Sequence, residues 1–303
     1  MADTVQMNAP EVKKPNAWQR FWERIDMSDL FKAFFFKLRK DITFRVIGFV
    51  GIGVALLMMG LYLLIDSTLP ISGHVYCTGN NLFVTSFNPS SNYGLAIPIN
   101  LITFTVLEFS HGVIRNKIVA GNSKIKIYLS LFFTGLVFTI SLLFLYVGFC
   151  TLLGTIVGGF DPYGMGSIGI ASGSFITPDF IWKFFIANVL VYITITSFTV
   201  FISTLLRNIG PSSPIVVITP VLLATVLPLI FSIPSVKDAL GSLPMYLNPF
   251  QVIGSPEITY YAGGSSKVSI STEMMIATTV ANLLWTIVFT GFGALIFVKR
   301  DVK

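Results

Sequence analysis

Residues 127–157 read IYLSLFFTGLVFTISLLFLYVGFCTLLGTIV and contain no Asp, Glu, Lys, Arg or His. A transmembrane helix needs about 20 mostly apolar residues to cross roughly 30 Å of hydrocarbon, and this run exceeds that length. The stretch therefore predicts a helix that spans a bilayer, and a fold that is organised around the membrane.

The rest of the chain repeats this pattern. Further apolar runs occupy 44–65, 93–107, 182–206, 213–233 and 274–298. Of the 303 residues, 53% are hydrophobic and 11% charged, with a mean hydropathy of +0.79, which excludes an ordinary soluble globular domain. We therefore predict an all-α membrane protein with six transmembrane helices.

The distribution of Lys and Arg predicts the orientation, because cationic residues near helix ends are retained in the cytosol. If the N-terminus is cytosolic, the cytosolic segments hold most of the Lys and Arg residues. Nine lie in the segment through Arg45, four in the 108–126 loop, one in the 207–212 turn and three in the tail. These are 17 of the 20, and the outer segments 66–92 and 158–181 carry none. Both termini are therefore predicted to be cytosolic. The net charge of +6 follows from this topology, so it does not indicate a nucleic-acid partner.

We divide the chain into a polar N-terminus (1–26), one six-helix domain (27–298) and a short tail (299–303). Before the first span, apolar and basic residues alternate at helical spacing, which predicts an amphipathic helix lying in the plane of the cytosolic headgroups. Its apolar members include Phe31, Phe34, Phe35 and Leu38. The alternative is a solvated cytosolic helix with its Phe-rich face in water.

Sequence signatures of several enzyme classes are missing. No G-x-x-x-x-G-K-[ST] loop or H-E-x-x-H motif occurs, and His74 and His111 fall on opposite sides of the predicted bilayer. We therefore expect no nucleotide hydrolysis, metal site or cofactor on this chain. The span cores lack ionisable residues, which disfavours a proton-driven carrier. A sodium-coupled carrier built from backbone carbonyls and hydroxyls stays open.

Polar and proline residues inside the spans allow more than one interpretation. Pro214, Pro220 and Pro228 predict a kinked helix packed inside the bundle. The hydroxyl-rich face of 182–206 either lines a path or bonds back to its own helix. Cys77 and Cys150 both fall toward the outer side, which leaves open a disulfide or two free thiols.

The loop between the second and third spans, 107–128, reads LEFSHGVIRNKIVAGNSKIKIY and mixes basic with apolar residues. A short helix here would present an apolar side for insertion into a groove on a cytosolic partner, while nearby cations set its orientation. The apolar residues are Val113, Ile114, Ile118 and Val119, and the cations are Arg115, Lys117 and Lys124. The alternative is a basic loop that contacts only lipid headgroups.

This loop resembles the permease subunits of the ABC type-2 exporter family, in which a Glu ends the second span and small-Gly-(Val/Thr)-Ile-Arg-Asn-Lys and Gly-x-Ser-(Lys/Arg) follow. The layout is also similar, with an amphipathic helix, six spans and a basic tail. The resemblance implies a coupling helix that docks on an ATP-binding subunit. The implied contact residues are Glu108, Gly112, Val113, Ile114, Arg115, Asn116 and Lys117.

The resemblance further implies a homodimer in the bacterial cytoplasmic membrane, paired with two copies of a separate ATPase chain that binds ATP and Mg. The cargo would be a peptide or small amphiphile, and an outer re-entrant segment would lie within 234–273. This chain would be a transport subunit and not an enzyme. The alternatives are an ion-coupled or passive transporter or channel without an ATPase, or a membrane-embedded enzyme.

Overall fold

The long apolar run at 127–157 forms the longest helix of the computed structural model, which describes residues 28–68, 77–89, 92–160, 174–176, 178–231, 233–235, 248, 250, 257–260 and 266–300. The helices are α1 (Ser28–Lys40), α2 (Ile42–Thr68), α3 (Gly79–Phe87), α4 (Asn92–Ser110), α5 (Val113–Val119), α6 (Lys124–Gly158), α7 (Pro178–Leu206), α8 (Ile209–Phe231) and α9 (Thr272–Lys299). The strands are β1 (Ser174–Ile176), β2 (Glu257–Tyr260) and β3 (Ser266–Ser269).

Four of the described helices, α2, α6, α7 and α9, are long and apolar enough to cross a membrane. The chain is therefore a helical protein of the multi-pass type, as predicted. The pair α4 and α5 would count as a fifth if taken as one span bent by 52°. The run 213–233 forms α8, whose apolar stretch Ile209–Leu223 is shorter. The six crossings, the orientation of the termini and the division of the chain stay predictions.

Helix α7 lies at the centre of the bundle and packs against α4, α6, α8 and α9. Its hydroxyls are fully buried and hydrogen-bonded. Thr194 donates to the carbonyl of Asn282 (3.0 Å), and Ser197 donates to that of Thr286 (3.1 Å). Thr196 bonds back to Tyr192 and also to Thr139 of α6. These hydroxyls therefore hold helices together, and do not line an open path.

Helix α8 packs on one side against α4 and α7, where Val216 is buried. Its other side is exposed, including Ile218, Leu222 and Leu229 at 52%, 52% and 68%. The prediction that this proline-containing helix is packed inside the bundle is therefore wrong. The apolar residues around the prolines form a surface suited to lipid or to another subunit. Composition alone does not distinguish such an exposed apolar face from a buried one.

Helix α3 is an element that the sequence analysis placed in an outer segment. Thr78 caps it by accepting a hydrogen bond from the amide of Asn81 (3.3 Å). The helix packs along the end of α6, because Gly154 and Gly158 bring the backbone of α6 close to that of Cys77 and Thr78. The segment 66–92 thus contributes a buried helix to the bundle.

Helices α3 and α4 together behave as one interrupted helix antiparallel to α6. Leu82 lies beside Gly154, Ser86 hydrogen-bonds with Cys150, and Leu101 lies beside Gly135. From one contact to the next, the residue number rises along α3 and α4 by as much as it falls along α6. Helix α3 ends at Phe87, and the next two residues, Asn88 and Pro89, are not helical.

Two segments predicted to be outer meet in a small sheet with the order β1-β3-β2. Strand β1 pairs in parallel with β3, with Ser174 opposite Ser266, and β2 pairs antiparallel with β3, with Glu257 opposite Ser269. The described part of 234–273 therefore includes strands where we predicted a re-entrant segment. The apolar residues 236–247 of that segment lie outside the described residues.

Cys77 and Cys150 are both buried free thiols, which decides the question that the sequence left open. The amide of Cys77 donates to the carboxylate of Asp66 (3.0 Å), at the end of α2. Burial, and secondarily the charge of Asp66, raise the pKa of the Cys77 thiol. A thiol with a raised pKa is a poor nucleophile at neutral pH, which fits a structural role.

Substitution of Gly154 tests the packing of α3 on α6. A Cβ at this position would lie 2.8 Å from the carbonyl oxygen of Thr78, so Gly154→Ala must push α3 away. We expect the free energy of unfolding in detergent to fall by about 1–3 kcal/mol. Gly148→Ala, on the same helix with nothing within 4 Å of the new Cβ, is the matched control. Equal thermal stability of the two variants would contradict the close packing.

Candidate functional site

The candidate site is a short helix, α5, at the end of the bundle where Lys124, Arg207 and Arg300 also lie. We call this the basic end. Glycines bound α5 on both sides: Gly112 precedes it with φ of 68°, and Gly121 follows it with φ of 89°. Only glycine adopts this left-handed conformation without strain. Gly112 therefore allows the chain to turn by 52° at the end of α4 and begin a new helix.

A buried ion pair joins α5 to α4. The Lys117 ammonium donates to the Glu108 carboxylate over 3.1 Å, and the Glu108 side chain is 0% exposed. Glu108 lies in the last turn of α4, and Lys117 lies near the end of α5. The pair thus spans the bend and holds the two helices in one arrangement. Because Glu108 is fully buried, it positions α5 and does not itself contact a cytosolic partner.

The apolar side of α5 faces the bundle. Ile114 is fully buried and packs with residues of α6, α7 and α9. The members of this cluster are Ile114, Ile127, Tyr128, Leu131, Phe132, Val200 and Phe297. The expectation that Ile114 and Ile118 insert into a partner's groove is therefore wrong, because the nearest apolar surface belongs to this chain. Ile114 and Ile118 are four residues apart, so they lie on the same face of α5. That face already packs against the bundle.

The opposite side of α5 is exposed. It presents Arg115, Asn116, Val119 and Ala120, with Val119 80% exposed. Gly112 and Val113 are half-buried at the start of the helix. Of the predicted contact residues, Arg115 and Asn116 are thus on the accessible surface, together with Val119. This surface is small, polar at its centre and apolar at one end.

Basic residues from other helices close the basic end beneath α5. The Lys124 ammonium donates to the carbonyls of Val298 (3.0 Å) and Arg300 (3.1 Å), which end α9. Arg300 in turn donates to the carbonyl of Leu205 at the end of α7. These contacts satisfy carbonyls that lack a donor within their own helices. Lys124 therefore caps the end of α9, and its role in orienting a partner stays a prediction.

Arg207 connects this cap to α4. Its guanidinium lies over the ring of Phe109, 5.5 Å from the centroid, and Phe109 meets Phe297 edge-on at 6.0 Å. Burial, and secondarily the charge of Arg300, lower the pKa of Arg207. The sequence analysis counted Arg207 and Arg300 only as orientation signals. For Arg300, the position directly after an apolar run is the signal that it caps a helix end.

Helix α1 packs against α6 at the same end, with Leu38 buried in the main apolar cluster. Phe35 and Phe36 are 50% and 61% exposed, and Lys40 lies 4.4 Å from the centroid of the Phe36 ring. A cavity of about 440 Å³ separates α1 from α4 and is lined by Phe36, Lys40, Asp41, Phe104, Leu107 and His111. The side chains of Phe31 and Phe34, and residues 18–27, lie outside what the structure describes.

Removal of either charge of the buried pair tests its role. We expect Glu108→Gln or Lys117→Met to lower the free energy of unfolding by about 3–5 kcal/mol, because the remaining buried charge loses this counterion. The double variant should be more stable than the sum of the two losses predicts. Thermal unfolding of the three variants in one detergent measures this coupling. Strictly additive losses would show that the two groups do not interact.

The chain matches no protein-family model, no curated protein and no solved structure. What the basic end can do therefore follows from its own geometry. That geometry is an exposed helix face with Arg115 and Asn116 at its centre and Val119 at one end, held to the bundle by the Glu108–Lys117 pair and the buried Ile114.

Proposed function

We propose that the chain is the membrane-spanning permease subunit of an ATP-driven ABC exporter, and that it couples ATP hydrolysis on a separate subunit to efflux of a peptide or small amphiphile. The observation that carries this proposal is α5: a short helix bent away from its span, exposed on one side and anchored by a buried ion pair on the other. ATP and Mg would bind the partner chain.

The exposed side of α5 would form the contact with the ATP-binding subunit. Arg115 supplies a charge for orientation, Asn116 a hydrogen-bonding amide, and Val119 an apolar anchor. Glu108, Gly112, Ile114 and Lys117 would act by holding this face in position.

Rigid attachment would transmit a push on α5 into the bundle. Ile114 contacts α6, α7 and α9 through one apolar cluster, and the Glu108–Lys117 pair fixes α5 to α4. Packed interiors shift between discrete arrangements and do not deform continuously. Closure of two ATPase subunits would therefore bias the bundle between two states. Helix α1, with Phe35 and Phe36 exposed, would move along the lipid headgroups with it.

A second copy of the chain would complete the transporter, and α2 offers a surface for it. Gly53 and Gly60 lie two turns apart on this helix, both exposed and with nothing within 4 Å of a built Cβ. Leu57 and Leu64 are 70% and 62% exposed on the same helix. Exposed glycines allow close approach of another helix in a membrane. Gly48, in contrast, already faces Leu142 and Leu145 of its own chain.

Charge reversal at Arg115 tests the ATPase contact. The tagged full chain, purified from native membranes in mild detergent, should bring down a Walker-motif protein and ATPase activity. Arg115→Glu should reduce both at least about tenfold, because like or misplaced charges oppose docking. Asp179→Arg, which reverses an exposed charge at the opposite end, is the control. A wild-type preparation without ATPase would overturn the proposal.

Cysteine labelling tests the sidedness. A cysteine introduced at the exposed Asn116 should react with a membrane-impermeant maleimide only after the cells are opened. Trp182→Cys, at the opposite end where Trp182 is 51% exposed, should be labelled in intact cells. The native Cys77 and Cys150 are buried, so they add little background. Labelling of position 116 from outside intact cells would place α5 on the wrong side.

A further inference from the structure

Two cavities meet at the corner where α1 leads into α2. The first, of about 500 Å³, is lined by Phe36, Arg39, Lys40 and Arg45. The second is the cavity of about 440 Å³ between α1 and α4, and it shares Phe36 and Lys40 with the first. Among the described residues, Asp41 lines only the second cavity. Three cations therefore surround the first cavity, and no carboxylate is among its described lining residues.

The buried side chain of Leu38 decides which side of α1 faces this space. Leu38 is 4% exposed and packs in the main apolar cluster. Phe36 and Lys40 lie two positions before and after it, about 200° around the helix, so they point away from the core. Both are exposed, and the Lys40 ammonium lies 4.4 Å from the centroid of the Phe36 ring. The packing of Leu38 therefore turns this aromatic and cationic pair outward.

Arg45 reaches the same space from α2. Its guanidinium donates to the carbonyl of Lys40, the last residue of α1, over 3.0 Å. A guanidinium carries five N–H donors, so one backbone carbonyl leaves others available. Of the ion pairs between described residues, neither includes Arg39, Lys40 or Arg45. The described part of the chain therefore provides no carboxylate that neutralises these three cations.

The cavity lies at the level where a phospholipid carries its phosphate. The stretch of α2 that is apolar enough to span a membrane begins at Phe44, one residue before Arg45. Basic side chains at the end of a spanning helix extend into the headgroup region, while their apolar stems stay beside the hydrocarbon. Arg45 is therefore placed at the boundary between headgroups and acyl chains.

An apolar surface continues from Arg45 along α2. Val46 and Phe49 are 52% and 74% exposed. Phe49 follows Arg45 by four positions, so it lies on the same face of the helix one turn further into the span, and Val46 borders that face. A ligand that joins an anionic group to a long apolar tail matches this surface. A soluble anion would leave the apolar part uncovered.

We propose that the corner between α1 and α2 binds the headgroup of one anionic phospholipid. Arg39, Lys40 and Arg45 surround the phosphate, and an acyl chain lies along Val46 and Phe49. Guanidinium groups bind phosphate through paired hydrogen bonds, and basic clusters beside a spanning helix attract anionic lipids. A zwitterionic lipid also carries a phosphate, but three cations repel its ammonium group. This site is separate from α5 and does not depend on an ATPase partner.

Lipid retention by the purified full chain tests this site. After delipidation in detergent, added phosphatidylglycerol should appear in native mass spectra at about one molecule per chain, at least about fivefold above phosphatidylcholine. Arg39→Gln should lower the affinity for phosphatidylglycerol about fivefold, because each cation near a membrane surface contributes about that factor. Combining it with Arg45→Gln should lower the affinity at least about tenfold. Excess inorganic phosphate should not displace the lipid, because it lacks an acyl chain.

Lys32→Gln is the matched control. Lys32 is an exposed cation on the same helix, and it lines neither cavity. This variant should retain the wild-type affinity. Equal retention of the two lipids, an equal loss in Lys32→Gln and Arg39→Gln, or displacement by inorganic phosphate would each overturn the lipid site. Arg45 also joins the two helices, so Arg39→Gln alone decides if the double variant does not fold.

Discussion

Hydrocarbon offers no hydrogen-bond partner, so polar groups inside the bundle are stabilised by finding one within the chain. This constraint explains the central position of α7. Its threonines and serines bond back to its own carbonyls and across to α9, as Thr194 does to Asn282 and Ser197 to Thr286. The same hydroxyls that look like a polar path in the sequence are the contacts that hold the two most closely packed helices together.

At the basic end the constraint produces a rigid platform. Lys124 and Arg300 satisfy the carbonyls that end α9 and α7, and Lys117 pairs with the buried Glu108. The cations that predict a cytosolic location therefore also have a local structural role. Helix α5 rests on this platform, and its one exposed face has the fixed position that an energy-supplying partner would require.

The sequence by itself determined the membrane-spanning character of the chain, the positions of the long helices and the short helix after Glu108, because these follow from local apolar runs, charges and glycines. Only the tertiary structure decided that Ile114 faces inward, that Glu108 pairs with Lys117, and that α8 lies at the edge. It also revealed α3 beside Gly154 and the three cations around the cavity at the corner of α1 and α2. These features depend on which helices become neighbours, and a helix with apolar residues on every side carries no local signal of its partner.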